Sequence, residues 1–289
     1  MENLLSMAFD NLSSYDGPKV RKGLRQVEGL LAQICLSNSR DHGPAEGPDE
    51  DGDMPMSPPR KDLGQLSKDL AFREFFKLQD GFEWNVGMRL IGTLDRLLAQ
   101  GSDGQNDLLI LSALDLIQGT LLLHPPSKSL FSREQNMNLL LDLLEPINCP
   151  AIQSATLLTL VVALIDTPKN TRTFEGLDGL LTVTSLFKSR ATSREVKLKL
   201  VEFLYFYLMP ESPSLPHATQ HDSVPAMLQR SPSKLAGAFG ADAKRRGSTD
   251  DRGTLTTADK QKLLSRHLSS VEDLVRDLRT CAPFGGVVC

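Results

Sequence analysis

"NTRTFEGLDGLLTVTSLFKS", residues 170–189, sets two glycines, Gly176 and Gly179, inside a run that otherwise reads as an apolar helix. A glycine in a helix interior costs about 1 kcal/mol relative to alanine, so the pair marks a break or a close approach of backbones. Aligned on its phenylalanine, the stretch "FEGLDGLLTVTSLF" from Phe174 has two further copies, "FEWNVGMRLIGTLDRLL" from Phe82 and "FSREQNMNLLLDLLEP" from Phe131. Each places Gly or Asn five residues on (Gly87, Asn136, Gly179), a branched apolar residue at offset nine (Ile91, Leu140, Val183) and leucine at offset twelve (Leu94, Leu143, Leu186). The copies lie 49 and 43 residues apart. Gly and Asn most readily take the left-handed conformation of a tight corner, so these positions are expected to turn one helix into the next.

A second helical stretch follows each copy: Leu108–Leu123, Ala151–Ile165 and Glu195–Met209. The first two align Ser112-Ala113 with Ser154-Ala155, Leu116 with Leu158 and Leu122 with Leu164. Helical units at this spacing fall in the range of armadillo and HEAT repeats, about 40–47 residues. The expected fold class is all-α: an armadillo/HEAT-like solenoid of three to four repeats, with a detached C-terminal helix.

The rest of the chain fits that frame. "PKVRKGLRQVEGLLAQICL" has Asp16 as a cap, Pro18 in the first turn and apolar residues at Val20, Leu24, Val27, Leu31 and Ile34, an amphipathic helix. Residues 39–60 hold six acidic side chains, five prolines and three glycines and are expected to be a disordered insertion in the solenoid of residues 1–209. Residues 210–252 turn to Pro, Ser, His and Gly and read as a disordered linker. Residues 253–289 return to helix formers, with Thr257 as a cap.

Composition excludes several classes. Of the 289 residues 40% are apolar, enough for a core of moderate size, and a net charge of −4 argues against nucleic acid as a partner. Apolar stretches such as Leu157–Ile165 fall short of the about 20 residues needed to cross a bilayer, so membrane insertion is not expected. Glu2 stands where a secretory leader would be basic, and the four scattered cysteines (Cys35, Cys149, Cys281, Cys289) read as reduced thiols of a cytoplasmic protein. No phosphate-binding loop, dinucleotide fingerprint or nucleophile elbow occurs, and no cysteine has an arginine six residues on. His217 and His221 are four apart but lie among prolines. His124 precedes two prolines, as a helix C-terminal cap would. No active site, metal site or cofactor is expected.

Two features point outward. From Leu198 to Met209 the helix is interrupted only by Lys199 and Glu202, and a helix apolar all round must be covered all round. Phe203, Tyr205, Phe206 and Tyr207 are therefore candidate partner contacts unless the chain's own last helix caps them. In that last helix Leu264, Leu268, Val271, Val275 and Leu278 are spaced 4, 3, 4, 3, a heptad seam too short to stand alone and so in need of a groove. Ser57 in "SPPR", Ser231 in "SPSK" and Ser248 in "KRRGSTDD" are candidate phosphorylation sites, the first two of proline-directed and the third of basophilic pattern.

"NTRTFEGLDGLLTVTSLFKS", "REVKLKLVEFLYFYLMPE", "RSPSKL" and "LSSVEDLVRDLRTCAPFG" together resemble the fungal family called cell division control protein fourteen. This is the septation-initiation-network component, not the phosphatase of the same name. The resemblance spans nearly the whole chain. It implies a non-catalytic regulatory or scaffold subunit that binds a germinal-centre-type protein kinase. That kinase works in the cascade from the spindle pole body to ring constriction and septum formation. The competing expectation is a general armadillo-like adaptor binding peptide or cargo along a groove lined by Asn and Trp, for which the sequence offers a single tryptophan, Trp84.

Overall fold

The computed structural model describes residues 1–36, 61–100, 104–211 and 254–270. The acidic insertion, residues 212–252, His217 and His221, Ser57, Ser231 and Ser248, and Val271, Val275 and Leu278 lie outside the described residues. Every regular element described is helical: α1 Glu2–Leu12, α2 Gly17–Cys35, α3 Leu63–Lys68, α4 Leu70–Gln79, α5 Val86–Ala99, α6 Asp107–Leu123, a 3-10 helix Pro125–Ser132, α7 Glu134–Asp142, α8 Pro150–Leu164, α9 Pro168–Gly176, α10 Gly179–Lys188, α11 Arg194–Leu208 and α12 Thr257–Ser265.

Four long helices form a row in chain order, α2 on α6, α6 on α8 and α8 on α11. They run in the same direction. A surface cleft brings Arg21 and Leu24, early in α2, against Leu108 and Leu109, early in α6. Lys128, just after α6, reaches the Ile165 carbonyl at the end of α8 (3.2 Å), and a second cleft joins Ile165 to Met209 at the end of α11. A layer of shorter helices covers one side: α1 and α5, then the 3-10 helix with α7, then α9 and α10.

Burial follows one pattern along the row. Leu109, Ala113, Leu114, Ile117 and Leu121 of α6 are buried, and so are Ile152, Thr156, Leu157, Leu160 and Leu164 of α8, each 43 residues on. Val196, Leu200, Leu204 and Leu208 of α11 continue it 44 residues further. Gln118 closes the α6–α8 contact by donating to Thr159 Oγ1 at 3.0 Å, which leaves a buried amide satisfied. This register corrects the alignment made on Ser112-Ala113. Leu116 is buried but Leu158 is exposed, and Leu122 is exposed but Leu164 is buried.

The phenylalanine register holds for two copies of three. Phe131 and Phe174 are fully buried, whereas Phe82 is 77% exposed. The offset-nine and offset-twelve residues, Ile91, Leu140, Val183, Leu94, Leu143 and Leu186, are buried in every copy.

The glycine and asparagine corners are not left-handed. Gly87, Asn136 and Gly179 sit in the first turns of α5, α7 and α10, and among the described residues positive φ occurs instead at Asp178 (58°), Asp166 (56°) and Gly104 (73°). Gly179 is a close approach instead. A Cβ there would lie 2.6 Å from the Phe174 carbonyl oxygen and would overlap the Phe174 ring, whereas a Cβ on Gly176 would meet nothing within 4 Å. Asn136 donates to the Leu130 carbonyl at 2.8 Å, closing its corner with a side chain.

The last carbonyls of a helix have no partner within it, and here cations from other elements serve them. Arg96 donates to Leu12 O at the end of α1. Lys61 Nζ donates to Ile34 O (3.1 Å) in α2, Lys128 Nζ to Ile165 O just past α8, and Lys260 Nζ to Met209 O (3.0 Å) just past α11.

Candidate functional site

The row ends at α11, which carries the candidate partner residues Phe203, Tyr205, Phe206 and Tyr207. Ser193 caps α11 by accepting from Val196 N at 3.3 Å. Val196, Leu200, Phe203, Leu204, Tyr207 and Leu208 are buried, with Phe203 edge-on to Phe174 at 5.7 Å between centroids. The expectation that this helix is buried all round is corrected: Leu198 is 58% exposed, and Tyr205 and Phe206 are half-buried. One row neighbour, α8, and one layer leave the far face open.

The C-terminal helix is docked, not detached. Its cap is Thr256, one residue before the expected Thr257, in a capping box where Thr256 Oγ1 accepts from Asp259 N (3.3 Å) and the Asp259 carboxylate accepts from Thr256 N (3.2 Å). Leu264 is fully buried and Leu268 nearly so, both in the core that holds α11. The heptad seam, however, is broken within the described residues. Helix α12 stops at Ser265 and the chain turns through Arg266 and His267, whose carbonyl accepts from Lys188 Nζ of α10.

A polar cluster joins α9, the end of α11 and α12. The Glu211 carboxylate accepts from Arg172 Nη2 (2.5 Å), Lys260 Nζ (3.1 Å) and Leu255 N (2.9 Å). Arg172 Nη1 also pairs with Glu175 Oε2 at 2.9 Å, and Tyr207 OH donates to Glu175 Oε1 at 2.6 Å. Lys260 stands over the Tyr207 ring, 5.1 Å from its centroid. Two cations meet two carboxylates, so the cluster is neutral as a whole. Burial pushes the Lys260 ammonium below its ordinary range and the Glu175 carboxyl above its own. Burial and the bond to Glu175 hold the Tyr207 phenol well above its range, so it stays a donor. Its ion pairs and hydrogen bonds tie α9, the end of α11 and α12 to one another, so the cluster is a staple. Beside it lies a cavity of about 300 Å³ lined by Ile165, Pro168, Phe206, Tyr207, Met209 and Lys260.

Sequence reasoning missed this cluster and placed Glu211 in the linker. Glu211 meets Arg172 across 39 residues and Lys260 across 49, and no local spacing announces contacts of that separation.

A second polar chain has the look of a hydrolase site. His124 Nδ1 lies 2.8 Å from Ser127 Oγ and Nε2 lies 3.1 Å from Asp80 Oδ1. The ring is turned round relative to a serine hydrolase, where Nε2 faces the serine. Ser127 is 3% exposed, and its Oγ also accepts from Asn85 Nδ2 at 3.3 Å. Phe76 packs edge-on against the imidazole at 4.5 Å. The chain ties the ends of α4 and α6 to the start of α5, and His124 is the C-cap of α6, as expected, from a buried position. Among the described residues no group of three or more His, Cys, Asp or Glu could hold a metal, and no helix is long and apolar enough to cross a membrane.

Every regular element among the described residues is helical, the polar clusters tie those helices together, and comparison places the chain in a family. Residues 1–284 match the family described as "Cell division control protein 14, SIN component", and the chain belongs to that family of septation-initiation-network components in cell division control. It is 28% identical, over 99% of its length, to the protein named Cell division control protein 14 of Schizosaccharomyces pombe, of which 97% is covered. The family is one of network components and not of enzymes. No solved structure matches the chain.

Proposed function

We propose that this chain is a non-catalytic regulatory or scaffold subunit that binds a germinal-centre-type protein kinase of the septation initiation network. It would act in the cytoplasm and at the spindle pole body as the septum forms. We read the row as an armadillo/HEAT-like solenoid, supported by the 43- and 44-residue recurrence of its buried positions.

The observation that carries the reading is the open face of the row. Leu108, Leu158 and Leu198, on three successive helices, are 70%, 52% and 58% exposed. Exposed apolar residues repeated along one layer are what a protein partner covers. Tyr205 and Phe206 border the same end half-buried, while Phe203, Tyr207, Leu264 and Leu268 lie inside the chain and reach a partner only if α12 leaves.

Purifying the tagged chain from dividing cells and identifying its stoichiometric companion by mass spectrometry tests this. A germinal-centre-type kinase is the expected companion, lost on Leu158→Glu together with Leu198→Glu. Recovery of assorted cargo proteins and no kinase would overturn the reading in favour of an adaptor.

A further inference from the structure

We propose that the groove filled by α12 is a helix-binding site in which α12 stands in for a helix of the bound partner, one presenting a cation and, four residues on, a leucine. The partner's identity as the kinase rests on the function proposed above; the site itself does not.

The resident shows what the groove selects. Lys260 meets Met209 O and Glu211, and Leu264, four residues later, is fully buried. Leu255 adds two backbone links, donating to Glu211 Oε2 and accepting from Glu211 N at 3.4 Å. The cation position belongs to the fold, not to α12. Met209 lies 44 residues after Ile165, at the same place past its helix, and Ile165 O is served by Lys128 of the 3-10 helix that precedes α8. Helix α9 turns its cation Arg172 to Glu175 and Glu211 instead, so the Met209 carbonyl and the neighbouring Glu211 form an ammonium site that an added helix fills.

The fit of α12 is incomplete. The cavity of about 300 Å³ beside Lys260 stays open, with Ile165 and Met209 at its rim 40% and 42% exposed. An apolar cavity of about 150 Å³ already accommodates a benzene ring. A partner helix with an aromatic side chain beside its cation would fill what α12 leaves. Helix α12 has nine residues, too few to stay helical once released, and the 42 residues from 212 to 253 join it to Glu211. An occupant on the same chain competes only at the effective concentration its covalent link sets, so docking through one short helix is exchangeable.

The test uses a fluorescent peptide of residues 254–270 and the full-length chain. Wild type carries its own occupant; if that occupant is seated about 99% of the time, the peptide binds roughly 100-fold weaker than to an emptied groove. Leu264→Asp ejects α12. Anisotropy should show the peptide binding this variant and not wild type, and binding should vanish when Glu211→Lys is added. Equal binding to wild type and Leu264→Asp, or none to a Leu264→Asp chain of wild-type helicity, overturns the proposal. So does global loss of helicity on Leu264→Asp, which would make α12 part of the obligate core. Kinase recovery is scored separately with Leu264→Asp, where it should rise. Peptide binding without that rise removes the kinase as occupant and leaves the site standing. Kinase recovery without peptide binding removes the site and leaves the proposed function standing.

Discussion

Lys260 and Glu211, 49 residues apart in the chain, meet at 3.1 Å with side chains 6% and 7% exposed, and their contact holds the last helix onto the row. A buried ion pair gains little over apolar packing, but removing one member strands the other. Glu211→Ala leaves both Lys260 and the Nη2 of Arg172 without their carboxylate. Stranding a buried charge costs about 3–5 kcal/mol, and α12 can escape that cost by undocking. Hydrogen exchange should therefore show the amides of Lys260–Leu264 losing protection while those of α6 and α8 keep theirs. Unchanged protection in α12 would show that Leu264 alone holds it.

The two glycines of residues 170–189 should respond oppositely to alanine. Gly179→Ala drives a methyl into the Phe174 ring and backbone, so it should destabilise by about 1–3 kcal/mol. Gly176→Ala adds a methyl to open space at the end of α9, with no positive φ to forbid it, and should be neutral or stabilising by up to about 1 kcal/mol. Chemical denaturation of the two variants checks the pair, and equal losses would contradict the geometry.

Phe131→Ala and Phe174→Ala should each cost about 3–5 kcal/mol, because both rings are fully enclosed. Phe82→Ala, at 77% exposure, should stay within about 0.5 kcal/mol of wild type. A large loss at Phe82 would restore the three-copy register that its exposure breaks.

The sequence was legible where periodicity governs and opaque where contacts are distant. The second-helix ranges match α6, α8 and α11 to within a residue at each end, and the offset-nine and offset-twelve residues are buried in every copy. Those positions obey local helical spacing. The Ser112–Ser154 alignment failed by one residue because α6 and α8 are apolar on nearly every face, so identity matching could slide while burial could not. The corner glycines were misread because glycine serves close packing as well as positive φ, and only the Phe174 ring tells which. The staple of Arg172, Glu211 and Lys260 had no local signature at all.

Acid should weaken the junction after the insertion through one carboxylate. The hydrogen bond from Lys61 Nζ to Asp69 Oδ2 (2.6 Å), then that from Phe72 N, holds the Asp69 carboxyl below its usual range. A depressed folded-state value contributes stability above the unfolded value, about pH 4, and the contribution is lost as pH falls through the folded one. Asp69→Asn should therefore lower the melting temperature at neutral pH, and the gap from wild type should close as pH drops below about 4. A gap that persists unchanged at low pH would place the effect in packing and not in charge.

Mass measurement of a purified mixture tests the proposed kinase-binding function most directly. Full-length chain and the germinal-centre-type kinase, mixed and resolved by light scattering, should elute as one species with the summed mass of the two. Separate elution of the two at micromolar concentration would contradict it.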